Sequence, residues 1–190
     1  MTTNPWLVPI TTLRRSIGNR REEYRRARIG ELRVADSSVP PDAEVEADAL
    51  LDAVDGGVEV TASIEAPWTG ECRRCLKPVT GRLQAHVREM YRPRTVGEAD
   101  DEDEDTYPLS GEQLDLRPLV RDAILLDLPI APLCREDCRG LCATCGADLN
   151  DGPCNCAPPA TDPRWAVLDQ LRDAPGSAGG TDPSSRRPQA

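Results

Sequence analysis

Eight cysteines constrain this chain more than any other feature, and six of them fall within residues 134 to 156, "CREDCRGLCATCGADLNDGPCNC". The other two, Cys72 and Cys75, stand upstream in "ECRRCLKP". The first residues, "MTTNPWLVPITTLRRS", lack a basic stretch followed by an apolar run. Nowhere does an apolar segment approach the roughly eighteen residues that mark a membrane span. A cytoplasmic protein with no membrane association is therefore expected. Thiols in that compartment are kept reduced, so so many of them point to metal before disulfides.

Zinc takes four soft ligands in a tetrahedron, and a CxxC turn offers two thiolates from one tight loop. Cys72 and Cys75 have that spacing, as do Cys142 and Cys145; Cys154 and Cys156 are one residue closer, and Cys134 and Cys138 form a looser pair. Four pairs make two four-thiolate sites. Gly146, directly after Cys145, suits a knuckle that bends backbone amides toward sulfur. One division joins Cys142, Cys145, Cys154 and Cys156 locally, because "GADLNDGP" between them carries turn residues. Cys134 and Cys138 then meet Cys72 and Cys75 across the fold. A second division puts Cys134, Cys138, Cys142 and Cys145 on one metal. The first is preferred, since it gives each pair a partner without stranding "CRRC". Two structural zinc ions are expected. The CxxxCxxC of Cys138, Cys142 and Cys145 also matches a radical-SAM iron–sulfur spacing, but too little chain follows for the barrel such enzymes need. A CxxC redox role is the third alternative, and the strand-rich surroundings of "CRRC" do not favour it.

A metal staple suits the composition. The 190 residues are 38% hydrophobic, with no Phe and three each of Trp and Tyr, so the core is thin. The formal charge is −10, and eight thiolates on two divalent ions would take it to −14. Such a body repels a phosphate backbone at long range, leaving a basic protein or a local basic patch as the means of contact.

Residues 1–29 form an N-terminal segment whose Arg-rich stretch holds Arg14, Arg15, Arg20, Arg21, Arg25, Arg26 and Arg28. It reads as a short helix or an arm, either a solvated face or a short-range RNA or partner contact, with Tyr24 as the aromatic able to stack on a base. Residues 30–173 read as the main domain. From Gly30 to about Tyr91, "ELRVA", "AEVEADALLDAV", "GGVEVTASIEAPWTG" and "VTGRLQAHVREMY" alternate apolar and polar positions, with "DGG" as a hairpin turn. An antiparallel sheet or partial barrel follows, in an α+β fold with a few short helices and zinc-knuckle elements. Residues 97–107 read as an acidic loop. Asp115 then caps a helix with Pro118 in its first turn and Leu119, Ile124 and Leu126 on its apolar face. A C-terminal helix is expected over 163–172, with Trp165, Leu168 and Leu171 on one face, and a disordered tail over 174–190.

His86 is the single histidine and sits in a strand-like context as a surface residue. No GxGxxG, phosphate-cradling loop or GxSxG elbow occurs, and closed four-thiolate sites offer no open coordination position. No enzymatic activity and no small-molecule substrate are expected.

The run of "ECRRCLKP", an acidic variable stretch, "LDLRPLVRDAILLDLPIAPLCREDCRGLCATCGADLN" and "DPRWAVLDQL" resembles the bacterial YceD family, the large ribosomal RNA subunit accumulation protein. The likeness covers most of residues 5 to 173. It implies a role in accumulating or maturing large-subunit ribosomal RNA. Cys72 and Cys75 match the pattern the family shares, whereas the cluster from Cys134 to Cys156 resembles only some members. The expected partner is a large-subunit precursor, bound through its RNA, through a basic ribosomal protein, or both. The Arg-rich stretch is one candidate contact, and Arg73 and Arg74 on the knuckle are another. A zinc-ribbon adaptor in transcription is the main rival.

Overall fold

The computed structural model describes residues 4–93, 106–157 and 163–165. The chain divides into two compact units, Met1–Gly140 and Leu141–Ala190. The first holds strands β1 (Leu7–Pro9), β2 (Arg20–Arg28), β3 (Leu32–Val34), β4 (Ser37–Val39), β5 (Glu44–Val54), β6 (Gly57–Glu71), β7 (Pro78–Pro93), β8 (Thr106–Leu109) and β9 (Gln113–Asp115). Helix α1 (Arg117–Asp127) follows, and Leu13–Arg15 forms a 3₁₀ turn.

β2, β5, β6 and β7 are neighbours in an antiparallel sheet. The hairpin of β3 and β4 joins β6 beyond the end of β5, through Ser37 opposite Gly70 and Ser38 opposite Thr69. β8 adds to β7 in parallel, and β1 pairs with β9 apart from the main sheet. Beyond β5, β2 pairs with no other strand, and no pairing among the described residues closes a barrel.

Alternation explains the long strands. Val45, Ala47, Ala49, Leu51 and Ala53 of β5 are buried, as are Val58, Val60, Ala62, Ile64 and Ala66 of β6, while the intervening Glu, Asp, Ser and Thr face outward. With so much alanine, bulk comes from Trp6 and Tyr91, the largest fully buried side chains. The Trp6 indole donates to the Arg28 carbonyl at 3.3 Å, tying the N-terminal strand beside β2. Tyr91 donates to the Asp115 carbonyl at 3.0 Å and stacks on Tyr107 with ring centroids 5.2 Å apart.

The structure corrects several expectations. Arg20–Arg28, expected as an arm or short helix, is a strand of the sheet. Its outward face carries Arg20, Glu22, Tyr24, Arg26 and Arg28. Its core face carries Arg21, Glu23, Arg25 and Ala27, an ion-paired edge that hydropathy does not reveal. The N-cap position of α1 is Leu116, without a side-chain cap; Asp115, expected there, ends β9 one residue earlier and accepts from the Arg117 amide at 2.9 Å. Helix α1 buries Leu119, Val120, Ala123 and Ile124, but Leu126, expected on that face, is 88% exposed, while Leu125 packs on the core and Leu128, just past the helix, is buried. Thr106 and Tyr107, expected at the end of the acidic loop, already belong to β8; residues 97–105 lie outside the described part. In the second unit Pro163–Trp165 forms a 3₁₀ turn in which Trp165 is 60% exposed, against its expected packing role. The remainder of the C-terminal helix, with Leu168 and Leu171, and the tail lie outside the described residues.

Candidate metal centres

The loop between β6 and β7 places Cys72 and Cys75 next to the irregular segment that follows α1. That segment is stitched down before any sulfur is involved. The buried Ser37 hydroxyl donates to the Pro129 carbonyl at 2.7 Å, and the Arg73 amide donates to the Pro132 carbonyl at 3.0 Å. Cys134 and Cys138 thereby arrive opposite the CRRC turn. Cys72 and Cys138 have their sulfurs 3.8 Å apart, Cys75 and Cys134 3.6 Å apart, and all four lie within 4.8 Å of one another.

These separations test for a metal. A tetrahedron with metal–sulfur bonds of about 2.3 Å has edges of about 3.8 Å, whereas a disulfide holds its sulfurs about 2.05 Å apart. All eight cysteines are free thiols. The donor set and its spacing fit a tetrahedral thiophilic ion. Cys142, Cys145, Cys154 and Cys156 form a second tetrad, its sulfurs also all within 4.8 Å of one another, within the Leu141–Ala190 unit and more exposed.

The two CxxC turns share one backbone design. The Cys72 amide donates to the Lys77 carbonyl at 2.9 Å and the Leu76 amide to the Cys72 carbonyl at 2.8 Å. The Cys142 amide donates to Ala147 at 2.8 Å and the Gly146 amide to Cys142 at 2.9 Å. In each, the residue after the second cysteine has a left-handed backbone, φ +58° at Leu76 and +72° at Gly146. Glycine adopts that conformation freely, but a leucine there costs about 1–2 kcal/mol.

Burial pushes the Cys72 thiol up, but the backbone amides of Cys134, Cys75 and Arg74 outweigh it and hold it down at about 6. At Cys142 the amides of Cys145 and Thr144 lead, again giving about 6. Burial and the neighbouring sulfurs push Cys134 up to about 12; at Cys156 the Cys145 thiol does most of this, also to about 12. Each tetrad thus readily gives up one proton and holds its last one tightly, so full ionisation needs a cation at its centre. Because these lowered thiols ionise above about 6 and regain protons below it, acidification weakens metal binding. Chelator competition at about pH 5 is expected to strip metal that stays bound at about pH 7.5.

Arg74 braces the first tetrad. Its guanidinium donates to the carbonyls of Glu136 at 3.1 Å and Cys138 at 2.8 Å, spanning both halves. Gly140, at φ +73°, passes so close that a Cβ there would lie 2.8 Å from the Arg74 carbonyl. Arg74→Ala is expected to lower the stability of Met1–Gly140 by about 1–3 kcal/mol, read as a shift in denaturant midpoint, with Arg74→Lys recovering only part of the loss.

The structure separates the nine arginines expected to touch a partner. Arg20 pairs with Asp52 at 2.6 Å and Arg26 with Glu44 at 2.8 Å, both across the β2–β5 ladder. Arg21 and Arg25 close on the buried Glu23 from either side. Arg14 donates to the Gly111 carbonyl at 3.4 Å, and Arg74 is committed as described. Among the described residues, Arg15, Arg28 and Arg73 have side chains without an ion-pair or hydrogen-bond partner. Tyr24 is 52% exposed and donates to Glu46 at 3.1 Å. His86 is exposed on β7. Sequence inspection missed the role of Ser37 and the left-handed Leu76; the leucine in the knuckle's glycine position was the only available signal for the latter.

A family model described as the large ribosomal RNA subunit accumulation protein YceD matches residues 60–172. An uncharacterized protein of Mycobacterium bovis is 37% identical over 146 residues, 76% of this chain and 69% of the relative. One from Mycobacterium leprae is 33% identical over 147 residues, 76% and 65% of the two chains. A chloroplastic protein of Arabidopsis thaliana, named large ribosomal RNA subunit accumulation protein YCED homolog 1, is 32% identical over 72 residues, 38% of this chain and 22% of the plant protein. No solved structure matches.

Proposed function

Because this chain belongs to the YceD family, we propose that it promotes accumulation of large-subunit ribosomal RNA as a non-catalytic assembly factor, by holding a basic ribosomal protein. The plant relative's name supports the large-subunit role. The observation that carries the choice of a protein over RNA is the internal use of the arginines. Arg20, Arg21, Arg25 and Arg26 are ion-paired within the sheet, so β2 offers little positive charge to a phosphate backbone. A chain of formal charge −10 attracts a basic protein at the same range at which it repels RNA. In this reading zinc fills both tetrads and acts structurally, since four thiolates complete its coordination. The work is done in the cytoplasm; no described helix is long and apolar enough to cross a membrane.

Depletion of the protein in its host is expected to lower the ratio of large- to small-subunit ribosomal RNA. The Arg15→Glu, Arg28→Glu double variant should restore that ratio as well as the wild type does. An unchanged ratio on depletion would sink the large-subunit role. Failure of the double variant alone would instead point to direct RNA contact.

A further inference from the structure

Two non-glycine residues among those described have left-handed backbones, Ala35 at φ +48° and Leu76 at φ +58°; Leu76 lines one groove, and Ala35 directly precedes Asp36, which lines the same groove. Ala35 sits beside Asp36 at the tip of the β3–β4 hairpin, and the Glu71 amide fixes that tip by donating to the Asp36 carbonyl at 3.2 Å. Leu76 tops the CRRC knuckle. Ile130 and Ala131, in the irregular segment after α1, form the third side of a cavity of about 380 Å³. Leu76 is 60% and Ile130 71% exposed, so two large aliphatic side chains line this groove in contact with solvent. Strained backbone that the surrounding fold imposes clusters at binding sites. The second knuckle shows that glycine serves the same turn, so the fold alone does not ask for a leucine at 76.

We propose that this groove docks an aliphatic side chain of a basic protein segment, with a neighbouring lysine or arginine of that segment meeting Asp36 and Glu71. The inference rests on the reading of the chain as a holder of a basic ribosomal protein and adds the place where it is held. Neither Asp36 nor Glu71 has an ion-pair partner among the described residues, so an arriving cation displaces nothing. Arg73, whose guanidinium has no partner among the described residues, lines the same cavity and can donate to a backbone carbonyl of the entering segment. The groove has no aromatic platform for a base, and its two carboxylates repel phosphate.

The test uses the full chain and two probes: protein extracted from purified large ribosomal subunits and freed of RNA, and large-subunit RNA freed of protein. Wild type and Leu126→Ser, which alters an exposed leucine elsewhere, are expected to retain the same basic protein. Leu76→Gly and Ile130→Ser are each expected to weaken that binding at least about tenfold. Both should keep two metal ions, with the melting temperature of Leu76→Gly unchanged or raised. Undiminished binding by both variants overturns the groove while leaving the large-subunit role in place. A wild type that retains RNA and no protein overturns the partner class. Retention of neither probe removes the holder reading together with the groove. Should Leu76→Gly lose metal, Leu76 is structural, and Ile130→Ser, provided it keeps two metal ions, decides on its own.

Discussion

Cys72→Ser is expected to reduce the bound metal from two ions to one and to lower the melting temperature of the Met1–Gly140 unit by roughly 10–20 °C. The reason is topological. A metal on Cys72, Cys75, Cys134 and Cys138 crosslinks positions 59 residues apart, measured from Cys75 to Cys134. Closing a loop of that size restricts the unfolded chain by about 4 kcal/mol, if a metal crosslink is treated like a disulfide. That is a large part of the roughly 5–15 kcal/mol that keeps a domain folded. The buried sheet should survive as a folded but less stable body, since its core residues do not touch the sulfurs' loop closure directly. Cys142→Ser serves as the contrast. It should also cost one metal ion, yet leave the melting of Met1–Gly140 where it was, because that tetrad lies within the other unit. Metal analysis with calorimetry checks both, and a Cys72→Ser protein that still binds two ions would mean that the first tetrad does not hold one.

Trp6→Ala should destabilise the same unit by about 3–5 kcal/mol. Trp6 is 1% exposed, and its indole donates to the Arg28 carbonyl, so truncation removes core volume and orphans a carbonyl between β1 and β2. Val8, Ile10 and Leu13 are buried alongside it. An N-terminal arm would make the substitution silent. Urea unfolding, with the midpoint falling and the slope unchanged, distinguishes the two.

What could be read from the sequence follows from the range of the interactions involved. The long strands β5, β6 and β7 were legible because alternation is local and one face of each is buried. The grouping of sulfurs was legible for a similar reason: a CxxC turn fixes two ligands within four residues, and pairs must combine to make four. β2 was not legible. On its core face an edge position is filled by Glu23 between two arginines instead of by an apolar side chain, so no period-two hydropathy appears. Charge alone suggested a surface for RNA, whereas strand register turned four of its arginines toward carboxylates of the same chain. Arg73 and Arg74 looked alike as neighbours on a knuckle, yet one faces solvent and the other bonds the far half of the metal site. The groove beside Leu76 was hidden as well, because it forms where a hairpin tip, a knuckle and the irregular segment after α1 meet, three segments far apart in the chain.

The central claim is that this chain works by holding a basic protein and not by binding RNA. Crosslinking in intact cells, followed by purification of the chain under denaturing conditions, tests it most directly. Carbodiimide coupling of carboxylates to amines should leave a basic large-subunit protein attached, joined at Asp36 or Glu71. Ultraviolet irradiation, which joins side chains to bases, should leave no more ribosomal RNA than a non-binding control. Ribosomal RNA attached at Tyr24 or along β2, with no protein coupled to the carboxylates, would contradict the account.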